Sequence, residues 1–474
     1  MRLSNMQTSL HDTYNEVSST MENDKPKFLA LLDKHIDFNK LIPATFYWAF
    51  YRKLGRPREY ELESFLRFCV LQKILGVEKD SVFLNVLEMS KELREYCRFD
   101  KVPDASKITL FKQDFVVYLK VIFDNLVEIT EPICREIDEK KADYLIYDPT
   151  GIKVQVAENN PKFINAKLTQ AKKQARNNPE WNPYTYVYST LPDAAAANPF
   201  VERQYTNGHI CYAFKSGILT NGLGIVRDIN FFDDDFKRRH PEIVSKKTDN
   251  PELDKVIGDS TSLKPVLSDF FAKHPSFTYK TFIADGSFDS YDNFNILRDE
   301  FNFNRVAIPL NSRNTKTAHA DFDDNGTPIC PIDKTPFTFL GNSGGINRSQ
   351  RFKWVCHKSK SAGSTRVLTC DTPCTDSTYG RCVYTYPAKD FRLYPGIPRG
   401  TEHWDNLYRH RVLIERSIYL LKEPLGGATG KSFSMRTAKA DLLLAGITQL
   451  IGVVLADAID KKNLIKSVRK LIAA

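Results

Sequence analysis

The spacing of the apolar residues changes once, near residue 143, and that change limits the fold more than any other feature of the chain. Before it, PKFLALLDKHIDF, ELESFLRFCVLQKILG, DSVFLNVLEMSKELREYCRF and TLFKQDFVVYLKVIFDNLVEI carry apolar residues three and four apart, the spacing of one helix face. Gly55-Arg56-Pro57 and Val102-Pro103-Asp104 punctuate these helices, and Asp80 or Ser81 and Thr109 are candidate caps. After it come short β-prone runs: Tyr144-Leu145-Ile146-Tyr147 ending at Asp148, then HICYAFKSGILT and LGIVRDINFF on either side of Asn221-Gly222, the strongest local signal of a hairpin. A helix over 262–273, the strand Thr281–Asp285, a helix near 290–300 and the strand RVAIPL (305–310) follow. The polar stretch 158–205 reads as a long loop.

In order, this is strand, hairpin, helix, strand, helix, strand. Three antiparallel strands extended in parallel by two strand–helix steps make an α/β fold, a ribonuclease-H-like mixed sheet flanked by helices. It carries an N-terminal helical domain and a β-rich insertion. The predicted divisions are 1–140 (helical), 141–315 (first part of the core), 316–400 (the insertion, where Gly, Asn, Thr and Pro break the pattern) and 401–474 (C-terminal helices of the core).

Composition excludes some classes. With 42 % hydrophobic and 26 % charged residues among 474, a sizeable core is expected, not general disorder. The net charge of +9 is compatible with a polyanionic partner. The first 27 residues lack the apolar core of a signal peptide. The apolar run Leu442–Ala456, interrupted by Gln449, is short of the about 20 residues that span a bilayer and reads as a buried helix. The expectation is a cytoplasmic protein with no membrane partner. Nine cysteines then favour reduced thiols or a metal site over a disulfide framework. In the N-terminal helices, Arg52, Lys53, Arg56, Arg58, Lys107 and Lys112 suit a module that binds DNA ends, and a plain helical bundle explains them equally well.

The stretch Asn406–Lys422 is the most informative. At 100° per residue from Tyr408, Arg411, Glu415 and Lys422 all lie within an arc of about 60°, while Leu413, Ile414, Leu420 and Leu421 lie opposite. One face can pack on a sheet. The other aligns an aromatic ring, two cations and a carboxylate.

Tyr-x-x-Arg-x-x-x-Glu, six residues, then Lys resembles the YREK signature of the DDE transposases encoded by bacterial insertion sequences, in their hairpin-forming cut-and-paste branch. YLIYDPTGIKV around Asp148 and TFIADGSFDSYDN around Asp285 resemble that family's two acidic strands, and the order Asp148, Asp285, Glu415 agrees. The resemblance implies that these three carboxylates are catalytic and hold two Mg²⁺ (or Mn²⁺) ions. It also implies that Arg411 and Lys422 hold phosphates and that Tyr408 meets a terminal nucleotide. Cutting DNA at phosphorus needs an activated water and a stabilised leaving oxygen, which two hard cations supply together, and hard cations select carboxylate oxygens. The implied partners are double-stranded DNA, as inverted-repeat ends and target, and a second copy of the chain in a synaptic complex. The implied location is the bacterial cytoplasm, at the nucleoid. Two other readings keep parts of the pattern: a DNA-binding transposase derivative without catalysis, and a ribonuclease-H-like nuclease of another substrate.

Neighbouring acids have plainer readings. Asp143 shares the first strand, Asp289 and Asp292 are expected to cap the following helix, Asp233-Asp234-Asp235 to form an exposed turn, and Asp228 is a candidate supporting carboxylate. Trp181, Trp354 and Trp404 are candidates to receive a flipped base, or ordinary packing. In the insertion, Cys356, Cys370, Cys374 and Cys382 are candidate zinc ligands, with Cys370-x-x-x-Cys374 at a workable spacing and Cys330 nearby. Free thiols in a small β insertion are the alternative.

Overall fold

A computed structural model of the chain describes residues 27–52, 56–176, 181–206, 209–244, 258–311, 321–345, 348–428, 434–467 and 470–471. Lys53 and Gly55 lie outside the described residues. The chain forms two compact units, residues 134–420 and residues 1–133 with 421–474. Residues 421–474 thus group with the N-terminal helices, while residues 401–420 stay with the sheet, where the sequence places the whole of 401–474.

In chain order, the helical unit begins with short helices and then α1 (Leu62–Leu75), α2 (Asp80–Met89), α3 (Ala105–Asp114) and α4 (Val116–Ile137). The stretch read as one helix from Thr109 breaks at Phe115. Its start is capped by Asp104, whose carboxylate accepts from the Ser106 N–H, while Thr109 lies inside and bonds back to Ala105.

The second unit is built on one seven-stranded sheet. Its strands are β1 (Tyr144–Lys153), then, after helices α5 (Pro161–Ala175) and α6 (Pro183–Thr190), the two-residue strand Ala194–Ala195, β2 (Asn198–Thr206), β3 (His209–Asn221) and β4 (Val226–Phe231). Helix α7 (Asp259–Lys273) leads to β5 (Thr281–Ile283) and β6 (Arg305–Ala307). β3 pairs antiparallel with β1, β2 and β4, and β1, β5 and β6 run parallel. Three antiparallel strands continued by two parallel ones match the pattern read from the sequence. The hairpin is also where expected, with a longer turn than an Asn-Gly pair makes. Asn221 Oδ1 accepts from the Leu223 and Ile225 N–H groups, and Gly224, at φ 79°, takes the left-handed position.

Two expectations fail here. Residues 158–205 are not a loop: Asn160 and Asn182 each cap a helix that opens with proline, and Ala171, Val187 and Leu191 form a small core with Phe163, Ile164, Leu168 and Trp181 around them. The many polar residues cover one face and hide the apolar one. Asp289 is no helix cap. Ser290 caps that helix, and Asp289 is buried against Arg392 in a two-pronged pair at 2.8 and 2.7 Å, while also accepting from the Asn311 N–H.

The insertion holds β7 (Thr338–Gly345), β8 (Arg348–Val355) and β11 (Cys382–Thr385) in one antiparallel sheet and β9 (Ser359–Ala362) with β10 (Thr365–Leu368) in a separate hairpin. Its return strap is tightly fixed. Arg399 donates to the carbonyls of Ile308, Arg392 and Leu393, and a Cβ on Gly396 would sit 1.8 Å from the Asn304 carbonyl oxygen. The strap delivers the chain to α8 (Glu402–Tyr408), a 3₁₀ turn over Arg409–Arg411, and α9 (Val412–Lys422).

The last long helix, α10 (Met435–Ala458), belongs to the helical unit. Among the described residues it alone is long and apolar enough to cross a membrane, and most of it is buried inside the structure. It packs on α1 and α3, and Asp441 accepts from both Lys73 and Lys112, each at 2.9 Å.

Candidate active site

The face of β1 decides where Asp148 points. Side chains alternate along a strand, so Asp148 shares a face with Tyr144 and Ile146, which pack with Ile283, Ala307, Trp404, Leu407 and Ile414. That cluster seats α8 and α9 on the sheet, and Ile414 is fully buried while its neighbour Glu415 is exposed. β1 pairs with β5 only from Tyr144 to Ile146, while its pairing with β3 continues to Lys153. Asp148 therefore lies just past the point where the β5 side of β1 opens, and Pro149, which has no N–H to donate, follows it there. Asp285 comes two residues after the end of β5. Asp148, within β1, and Asp285, after β5, thus stand just past the point where the parallel pairing of these two strands ends.

One cation pairs with two of the three acids. Arg411 Nη1 lies 2.5 Å from Glu415 Oε1 and Nη2 lies 3.8 Å from Asp285 Oδ2. Asp285 also accepts from the N–H and hydroxyl of Ser287, holding its loop as a short 3₁₀ turn. Burial pushes the Asp148 carboxyl up to about 7; Arg411 opposes that rise, and Asp285, Glu415 and Asp259 add to it. Burial likewise raises Tyr408, whose ring stacks on Trp404 at 4.9 Å. Burial works against the Arg411 charge, yet Asp148, Tyr408, Glu415 and Asp285 together hold its pKa above the ordinary value.

Of the residues singled out in the sequence, Asp148, Asp285, Tyr408, Arg411 and Glu415 form one cluster. Lys422 is the last residue of α9, two helical turns beyond Glu415. The helix breaks at the motif, so Arg411 projects from a 3₁₀ turn, and the four-residue step to Glu415 survives the break. Asp259 is an acid that sequence reading missed. It opens α7 and pairs with Lys215 at 2.6 Å, and its only local signal was an acid in a helix first turn. Asp228 is fully buried with Lys273 and Asn230, which is a structural arrangement. Asp233 caps the helix Asp234–Arg239. Trp354 donates its ring N–H to Thr385 inside the insertion core, Trp181 packs on Tyr186, and Trp404 is buried under Tyr408.

Among the described residues, no three or more His, Cys, Asp or Glu side chains come close enough to hold a metal ion as they stand. In the acidic trio, Arg411 is the cation that the carboxylates share. The donor set itself is all oxygen and crowded with negative charge, the chemistry that suits a hard divalent ion. The five cysteines of the insertion, Cys330, Cys356, Cys370, Cys374 and Cys382, are all free thiols. Cys374 packs against the cluster that holds Cys330, a residue outside the four candidate zinc ligands, and Cys382 sits on β11 opposite Val355.

The raised Asp148 sets a stability trend. Its ordinary pKa is about 3.9, so between about pH 4 and 7 the folded protein keeps a proton that the unfolded chain has lost, and stability falls as pH rises through that window. Asp148→Asn removes this penalty. At pH 8 with chelator, the variant is expected to melt about 2–5 °C above the parent, with a shallower loss between pH 5 and 8. Thermal melts at the two pH values check this, and a lower melting point for the variant contradicts it.

Comparison with known proteins adds a similarity. Residues 17–114 match the family model described as Transposase domain (DUF772). No curated protein matches the chain. A cryo-EM structure of the piggyBac transposase synaptic complex with hairpin DNA is similar at a TM-score of 0.39 and 11 % identity, covering 95 % of this chain and 78 % of that one.

Proposed function

We propose that the chain is a DNA transposase of the DDE type, acting at the ends of an insertion sequence. The carrying observation is that Asp148, Asp285 and Glu415, 137 and 130 residues apart in the chain, meet around Arg411 at the open edge of β1. The transposase domain over residues 17–114 supports the class, and the strand order β4-β3-β1-β5-β6 supports a ribonuclease-H-like core.

In this reading Asp148, Asp285 and Glu415 hold two Mg²⁺ (or Mn²⁺) ions, which supply Lewis-acid activation of water and of the 3′-hydroxyl and stabilise the leaving oxygen. Arg411, released from Glu415, presents its fork to a phosphate of the cleaved strand. Tyr408, held by Trp404, offers a ring face to the terminal nucleotide. Lys422 contributes a phosphate contact. Inverted-repeat ends and target DNA are the partners, two copies pair two ends, and the bacterial cytoplasm is the location.

The test incubates the purified chain with Mg²⁺ and duplexes carrying the sequences that flank its gene. Nicks ending in 3′-hydroxyl groups at the element boundary are expected, and Asp285→Asn should lose them while still binding duplex. Cleavage that persists in Asp285→Asn, or no cleavage by the parent with either metal, overturns the reading. Lys422→Ala should weaken duplex binding and lower the slope of log K against log salt by about one. An unchanged slope removes Lys422 from the contact.

A further inference from the structure

The helical hairpin α5–α6, inserted between β1 and β2, has a charge pattern that the site above does not use. From Asn159 to Asn178 the sequence has five cations and no acid. Taking Lys162 as zero at 100° per residue, Lys172, Lys173 and Arg176 fall with it inside an arc of about 100°. Phe163, Ile164, Leu168 and Ala171 fall between about 100° and 240°. The structure agrees with that division. Lys162, Lys172, Lys173 and Arg176 are all exposed, and the apolar side packs with Val187, Leu191 and Ile210 of β3. The fifth cation, Lys167, leans over the Phe163 ring on the other side.

The partner helix adds aromatic surface. Tyr184 and Tyr186 are each more than two-fifths exposed, and the Lys172 ammonium sits 4.9 Å from the Tyr184 ring centre. A cation held against an exposed ring presents both to whatever binds. The four cations and Tyr184 stand outside the hairpin core, which rests on the opposite face. The stripe runs about 21 Å from Lys162 to Arg176 at 1.5 Å per residue. That length matches about six base pairs of duplex, whose phosphates offer a row of negative charges at closely spaced intervals.

We infer that the exposed face of α5, with Tyr184 beside it, is a docking surface for the phosphate backbone of double-stranded DNA. It gives the proposed transposase, on whose function this inference rests, a sequence-independent grip built on the same sheet as its acidic cluster. Charge complementarity selects the occupant: four cations on one stripe with no acid among them.

The test compares the full chain with a K162Q/K172Q/K173Q/R176Q variant. Random-sequence duplex binding is measured between 50 and 250 mM salt, with thermal melts of both proteins. The variant is expected to melt with the parent, bind duplex roughly 10- to 100-fold more weakly at 150 mM salt, and show a salt slope smaller by about three to four. Tyr184→Ala alone should weaken binding about threefold or more without changing the slope. A second variant, K162R/K172R/K173R, should bind as the parent does, so a loss there points away from backbone charge.

The outcomes separate this surface from the catalytic reading. If the parent cuts DNA ends and the four-site variant binds with the parent's slope, the surface is wrong and the transposase reading stands. If the variant loses binding while the parent never cuts, the surface stands and the catalytic reading falls. No duplex binding by the parent overturns both. Single-stranded RNA or an acidic polypeptide that displaces duplex at equal charge concentration overturns the DNA assignment.

Discussion

Glu415→Gln is expected to slow strand cleavage by at least about a hundredfold to a thousandfold and leave duplex affinity within about twofold. The substitution keeps size and shape and removes the charge that the proposed metal centre needs. Unfolding is a poor explanation for such a loss. Glu415 is 48 % exposed, and its pair with Arg411 at 2.5 Å is an i,i+4 helix pair of the kind worth a few tenths of a kcal/mol. Melting should therefore move little. Denaturing gels of end-labelled duplex, read alongside binding and thermal melts, separate the three quantities. Cleavage by Glu415→Gln at the parent's rate would remove the glutamate from the chemistry.

Asp441→Ala is expected to be the most destabilising single change in the helical unit, at about 3–5 kcal/mol. Lys73 and Lys112 are each 2 % exposed and both meet Asp441 at 2.9 Å; Lys112 has Asp80 as a second partner at 2.8 Å, and Lys73 also donates to the Gly426 carbonyl. Burial alone would lower the Lys112 pKa, yet Asp441 and Asp80 together hold it above the ordinary value. Removing the shared carboxylate leaves two buried ammonium groups with one carboxylate, Asp80, between them, and Lys73 with only a carbonyl partner. Urea unfolding of the full chain checks the prediction, and a shift under 1 kcal/mol would refute it. A compensated K73M/D441L variant should recover much of the loss, because an apolar pair of similar volume has no charge to desolvate.

What could be read in advance follows from the range of each interaction. The strand Tyr144–Tyr147, the hairpin around Asn221 and the α9 face were legible because their signals are local: period two, a turn pair, residues four apart. The link between Asp148, Asp285 and Glu415 was legible chiefly through the spacing around Tyr408, Arg411 and Glu415, since the short acidic strands around Asp148 and Asp285 are weak signals taken alone. Three features were out of reach for one reason. Asp289 meets Arg392 across 103 residues, Lys73 meets Asp441 across 368, and α10 joins helices at the other end of the chain. Long-range pairs leave no period. The hairpin α5–α6 was misread for a different reason, since its helices open with Asn-Pro and their single buried face is thin enough to pass for loop composition.

The fixed strap behind the insertion has a consequence for how such chains diversify. Arg392 and Arg399 anchor it to Asp289 and to the carbonyl beyond β6, ahead of the helix that carries Glu415. The anchor separates the β7–β11 region from the glutamate, so a change of length there is expected to alter the number of residues between Asp285 and Glu415 while leaving α9 seated on the sheet.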